Sequence, residues 1–240
     1  MRNLLLALLI SLAAAASACG DKYPPDGARG SEASSSQPQA GASQTPVAAS
    51  RQNLPKIVAF GDSLTAGYGL QQSQSYPSLL QAMLDADGYQ YEVVNAGVSG
   101  DTSAGGVRRL DWALDGGDVR FLVLELGAND HLRGQPVSET RKNLSAIIAR
   151  ARERGVKVLL AGMITTTTRT GDRYEQEIAE MYRAVAKEHN VALLPFFLEG
   201  VAGVERLNLQ DRVHPNAEGT KIVASNVYRA LRPMLDEEQK

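Results

Sequence analysis

The chain is 240 residues long, enough for one domain of ordinary size together with processing segments. Its 43% apolar and 22% charged content suits a globular protein with a buried core. A net charge of −2 and the lack of a long basic run exclude general electrostatic attraction to nucleic acid or anionic lipid, so no nucleic-acid partner is expected.

The N-terminus carries a processing signal. Arg2 supplies a positive charge, and Leu4–Ala16 form an apolar stretch too short to span a bilayer as a helix. Ala16-Ser17-Ala18 has the small-residue pattern of a cleavage site, which makes residues 1–18 a predicted signal peptide. Cys19 follows and is the only cysteine, so no intrachain disulfide can form. Ala16-Ser17-Ala18-Cys19 resembles the lipobox of bacterial lipoproteins, although Ala16 stands where Leu is usual. The resemblance implies a diacylglycerol on the Cys19 thiol and anchorage to a membrane of the cell envelope. Ordinary cleavage at the same bond, leaving a free and oxidisable thiol, is the alternative. Residues 19–53 are rich in Ser, Ala, Gln, Gly and Pro, a composition that cannot bury enough apolar area to offset its ordering entropy. They read as a flexible tether to a catalytic domain over residues 54–240.

Within that domain, apolar runs at Lys56–Phe60, Tyr91–Val94, Phe121–Leu126, Val156–Met163 and Val191–Phe197 predict buried strands. Stretches with helical spacing lie between them. Ser138–Arg154 predicts a helix stopped by Gly155. Ile178, Met181, Tyr182, Val185 and Ala186 share one helical face, with Asp172 and Glu175 placed as a capping pair. A last helix from near Asn216 carries Ile222, Val223, Val227, Ala230 and Leu231. Alternating strands and helices predict an α/β sandwich with a mostly parallel sheet, whose ligand site lies beyond the carboxyl ends of the strands.

Three polar segments fall there: Gly61-Asp62-Ser63-Leu64 after the first strand, Asn95–Thr102 after the second, and Gly127-Ala128-Asn129-Asp130 after the third. A nucleophilic serine needs a base, a group to orient that base, and donors for the developing oxyanion. Ser63 sits on a strand-to-helix turn beside Gly61, but position 65 is Thr, so this is not the G-x-S-x-G elbow. The base must come from His131, His189 or His214. His189 ends an amphipathic helix and reads as a surface residue. His214 follows Asp211 by three residues, a spacing that lets the carboxylate reach one imidazole nitrogen while the other faces a serine. Taken singly, Ser63 and Gly100 could be turn residues, Asn129 an Asx-turn residue and Asp211 a helix-flanking charge. Asp62, Asp101 and Asp130 read as carboxylates that fix local backbone.

Gly61-Asp62-Ser63-Leu64, Ser99-Gly100-Asp101-Thr102, Gly127-Ala128-Asn129-Asp130 and Asp211-Val213-His214-Pro215 resemble, in order, the blocks of the GDSL, or SGNH, hydrolases. Leu64–Tyr68 and Leu193–Phe197 extend the likeness, which covers roughly residues 55–235 and is nearest the arylesterase and multifunctional thioesterase/lysophospholipase branch. The resemblance implies a three-layer α/β/α sandwich of flavodoxin-like type with a five-stranded parallel sheet. It implies Ser63 as nucleophile, His214 as base and acid, and Asp211 as orienter. The oxyanion donors would be the Ser63 and Gly100 N–H groups and the Asn129 side chain. The expected substrate is a small-molecule or lipid acyl ester or thioester, with no metal or organic cofactor.

A carbohydrate O-acetylesterase of the same fold and a non-catalytic envelope lipoprotein are the competing readings. An aromatic content of 5% speaks against the sugar groove, and an intact serine, histidine and asparagine speak against the binding protein. Two segments depart from the family. His131 replaces a frequent Gly and is expected on the pocket rim, and Thr165–Gly171 replaces a Pro-containing segment that shapes acyl selectivity.

Overall fold

In the computed structural model, Arg51 and residues 53–163 and 171–239 are described, with the backbone alone for 171–174. Among the described residues, five strands run β1 (Lys56–Gly61), β2 (Glu92–Gly97), β3 (Val119–Glu125), β4 (Lys157–Ala161) and β5 (Ala192–Leu194). They pair in parallel in the order β2-β1-β3-β4-β5. The described residues also form seven α-helices: α1 (Ser63–Ala66), α2 (Tyr76–Ala86), α3 (Ser103–Leu114), α4 (Ala128–Leu132), α5 (Val137–Glu153), α6 (Gly171–His189) and α7 (Ala217–Glu238). Helices α2 and α7 pack together, as do α3, α5 and α6, giving the expected three-layer α/β/α sandwich. Among the described residues, no helix is long and apolar enough to cross a membrane.

Burial follows strand position. Ile57, Val58, Ala59 and Phe60 of β1, and Phe121, Leu122, Val123 and Leu124 of β3, are buried between the helical layers. Truncating one of the large members to Ala would cost about 2–5 kcal/mol. Strands β2 and β5 form the edges and are only half-buried. The strand order reverses between β1 and β3, where the loops leaving adjacent strands diverge and open a crevice. That crevice lies beyond Gly61 and Glu125.

Several boundaries differ from the sequence expectation. β2 continues through the exposed Asn95 to Gly97, so part of the segment expected after the strand belongs to it. β4 and β5 stop at Ala161 and Leu194. Pro195 has no N–H to extend the ladder. The helix expected at 138–154 spans Val137–Glu153, and Asn216 caps α7 by accepting from Glu218 and Gly219 N–H. The Asp172–Glu175 pair, the loop at 165–170, the predicted signal peptide, the tether apart from Arg51 and Asn53, and Cys19 lie outside the described residues or side chains.

Candidate active site

The first strand delivers Ser63 into the crevice through a tight turn. Asp62 caps α1, its Oδ1 accepting from Leu64 N–H at 3.0 Å. Gly61 lies so close to Thr65 and Glu125 that a Cβ there would overlap Thr65 Oγ1 and Glu125 Oε2. The turn therefore requires glycine before its acid.

His214 reaches Ser63 from the loop before α7. An antiparallel bridge between Asn208 and Pro215, and the Leu209 N–H bond to His214 O at 2.7 Å, fold this loop back on itself. Asp211 Oδ1 accepts from the N–H groups of Val213 and His214 at 2.9 and 3.0 Å. Its other oxygen lies 2.7 Å from His214 Nδ1, while His214 Nε2 lies 2.8 Å from Ser63 Oγ. Burial alone would raise the Asp211 carboxyl. The His214 and Val213 amides and the imidazole outweigh that burial and hold it below the usual carboxylate range. An ionised acid on one imidazole nitrogen and a hydroxyl on the other form a relay that can draw a proton from serine. Asp211 is thus bound to the imidazole.

Ser63, Gly100 and Asn129 line one groove of about 210 Å³, together with Tyr68, Leu132, Val213 and His214. Gly100 adopts φ +78°, a left-handed conformation that strains any other residue. Asn129 begins α4, just past the end of β3, and donates one amide hydrogen to Asp62 Oδ2 at 2.9 Å. Its second amide hydrogen leaves a donor for a ligand oxygen. Tyr68, Leu132 and Val213 are 52%, 56% and 45% exposed, so the groove presents an apolar wall to solvent. A second recess beside Ser63 and His214, floored by Phe197 and Val223, holds only about 10 Å³ and is too small for an acyl chain.

The sequence blocks thus converge on one site. Asp62 and Asp101 bind local backbone as expected, whereas Asp130 holds Ser103 at the start of α3, 27 positions away. Asp130 accepts from Ser103 N–H at 2.8 Å and from its hydroxyl at 2.5 Å. Asp101 accepts from Thr102 N–H at 3.0 Å and pairs with Arg109. His131 departs from expectation, being only 5% exposed and away from the rim. Burial lowers its pKa to about 4 against the opposing charge of Asp130. His189 is half-buried instead of lying on the surface.

Four contributors escaped the sequence reading. Tyr68 stacks on His214 with ring centroids 4.6 Å apart. Arg109 binds Asp101 Oδ2, Ala96 O and Gly61 O at 2.6, 2.7 and 2.8 Å and lies 3.9 Å over the Phe60 ring. Arg133 donates to Gly100 O at 2.8 Å. Glu125 supports the Ser63 turn from below. Glu125 left a trace in the sequence as a lone carboxyl inside an apolar run, and Tyr68 only as the end of the Leu64–Tyr68 stretch.

Residues 59–222 match the GDSL-like lipase/acylhydrolase family. The chain belongs to that family. It is 42% identical over 179 residues to the esterase TesA of Pseudomonas aeruginosa, covering 75% of this chain and 89% of that one. An arylesterase of Vibrio mimicus is 35% identical over 185 residues, covering 77% and 92% respectively. The crystal structure of TesA superposes with a TM-score of 0.72 at 41% identity, covering 75% of this hydrolase and 99% of TesA. Family and fold thus agree on a GDSL/SGNH hydrolase acting on ester bonds.

Proposed function

We propose that Ser63, His214 and Asp211 hydrolyse carboxylic acyl esters and thioesters through an acyl-Ser63 intermediate. The observation that carries this reading is the unbroken relay Asp211–His214–Ser63, at 2.7 and 2.8 Å, opening on a groove shared with Gly100 and Asn129. His214 Nε2 takes the serine proton as Oγ attacks the acyl carbon. The N–H groups of Ser63 and Gly100 and the Asn129 amide receive the oxyanion, a neutral donor set with no counter-charge to desolvate. Collapse expels the alcohol or thiol, which leaves with the proton held by His214. Water then attacks the acyl-serine with His214 again as base, releasing the acid and restoring the hydroxyl.

The exposed apolar wall of Tyr68, Leu132 and Val213 favours an aryl or alkyl ester as substrate. Hydrolysis of a p-nitrophenyl ester series from acetate to palmitate tests this. Turnover peaking at one chain length and lost in Ser63→Ala is expected. Turnover of acetylated sugars alone would move the assignment to a carbohydrate O-acetylesterase. Failure on every ester by a folded protein would favour a binding lipoprotein.

The N-terminal sequence supports export to the bacterial cell envelope, cleavage after Ala18, lipid attachment at Cys19, and residues 19–53 as the segment joining anchor to hydrolase. Mass spectrometry of the mature chain tests this. The expected N-terminus is Cys19 carrying a diacylglycerol. A free thiol there would indicate ordinary cleavage.

A further inference from the structure

Strand β3 ends on a buried carboxyl that the hydrolytic scheme does not use. Glu125 is 0% exposed and follows the apolar run Phe121–Leu124. Its partner in the β1–β3 register is Gly61, two residues before Ser63. Glu125 Oε2 lies 2.7 Å from the Thr65 hydroxyl and accepts a longer bond from Asp62 N–H at 3.3 Å. Asp62 and Thr65 bracket Ser63 in the chain, and Asp62 also holds Asn129. One carboxyl therefore touches both ends of the nucleophile turn and, at one remove, the asparagine of the oxyanion site.

We propose that Glu125 is a positioning residue of this hydrolase, its buried carboxyl fixing the Ser63 turn through Thr65 and Asp62 and, through Asp62, the Asn129 amide. This rests on the reading of Ser63 as nucleophile. The fold alone gives little reason for an acid here. Among the described residues Oε1 has no hydrogen-bond partner, and a buried acid is a costly way to end an apolar strand. Placement under the turn accounts for it, because an aliphatic side chain would leave the Thr65 hydroxyl without this acceptor.

The charge state follows from the surroundings. Burial, and then the neighbouring Asp62, push the Glu125 carboxyl well above the usual carboxylate range. Tyr76 from α2 and Tyr182 from α6 stay protonated because burial raises both. Arg109 from α3 is engaged with Asp101 and with the carbonyl of Gly61, the register partner of Glu125. Asp62 is itself raised to about 6, chiefly by burial and against the pull of the Leu64 amide and His214. Burial thus favours the uncharged form of Glu125, and a glutamine, also uncharged, can supply the same acceptor.

The test compares Glu125→Gln, Glu125→Leu and Thr65→Val with wild type in p-nitrophenyl acetate turnover and in the rate at which a p-nitrophenyl phosphonate blocks the enzyme. Stoichiometric labelling of wild type and none of Ser63→Ala establishes the nucleophile independently of the outcome for Glu125. Glu125→Gln should keep kcat within about threefold, with an unchanged pH profile. Glu125→Leu and Thr65→Val should lower kcat and the phosphonylation rate about 10–100-fold with little change in KM, the effect of a misplaced reacting group. Wild-type kcat in folded Glu125→Leu would overturn the proposal. A Glu125→Gln variant as impaired as Glu125→Leu would also overturn it, because a side-chain acceptor at this place would then not be what holds the turn. If Glu125→Leu does not fold, the nearly isosteric Thr65→Val decides, and wild-type kcat there removes the positioning role.

Discussion

Asn129 Nδ2 donates to one oxygen of Asp62 at 2.9 Å, while the other oxygen of the same carboxyl caps the Ser63 helix through Leu64 N–H at 3.0 Å. The turn that carries Ser63 and the proposed third oxyanion donor therefore share a support. Asp62→Asn offers one acceptor oxygen where two are used, and its amide would face the amide of Asn129. We expect kcat to fall roughly 10–100-fold with a small change in KM. Asn129→Ala removes the donor itself and should lower kcat by about 10²–10³. Steady-state kinetics on a p-nitrophenyl ester check both, and a loss confined to KM would mean that neither residue acts on the transition state.

Arg109 ties the ends of β1 and β2 to Asp101, beside Gly100, with three nitrogens and the face of Phe60. Lysine cannot reproduce that fork, since its ammonium is a point donor. Arg109→Lys should lose about 2 kcal/mol of stability, the value of a hydrogen bond to a charged group. It should lower kcat as well, because Gly61 leads into the Ser63 turn and Gly100, next to Asp101, lines the groove. Calorimetry with kinetics on the same preparation measures both, and unchanged values would show that the bracket is redundant.

His131 makes a prediction with a definite sign. Its pKa is lowered from 6.5 to about 4 in the folded protein, mainly by burial. The unfolded chain therefore binds the extra proton between those values, and stability is lost as pH falls from about 6.5 towards 4. The interval corresponds to roughly 3 kcal/mol. Asp62 acts in the opposite sense. Raised from 3.8 to about 6, it favours the fold as pH falls from about 6 towards 3.8. Wild type thus shows a partly cancelled slope. His131→Gln should lose less stability on acidification than wild type, as read from Tm between pH 7 and 4. Parallel curves would show that His131 titrates normally in the fold.

The strand-and-helix alternation and the motifs at strand ends were legible because local pattern determines them. Ser63, Asn129, Asp211 and His214 are placed by short segments whose spacing is visible along the chain. Glu125 and Arg109 are different. Each matters through partners dozens of residues away, and the Gly61–Glu125 pairing exists only once β1 and β3 lie in register. Tyr68 stacks on a histidine 146 positions later, a contact no local period encodes. His131 looked like a rim residue because it follows a loop motif, yet a short helix turns it inward. The end of β2 was missed for the converse reason: Asn95 is exposed on an edge strand and breaks the apolar run.

In the proposed mechanism Ser63 carries the acyl group. Rapid acid quenching during turnover of a p-nitrophenyl ester, followed by peptide mass spectrometry of wild type and Ser63→Ala, measures this directly. One acyl group per wild-type chain is expected, on the peptide containing Ser63, with neither label nor turnover in the folded variant. An acyl group on another residue, or wild-type turnover in Ser63→Ala, would contradict it.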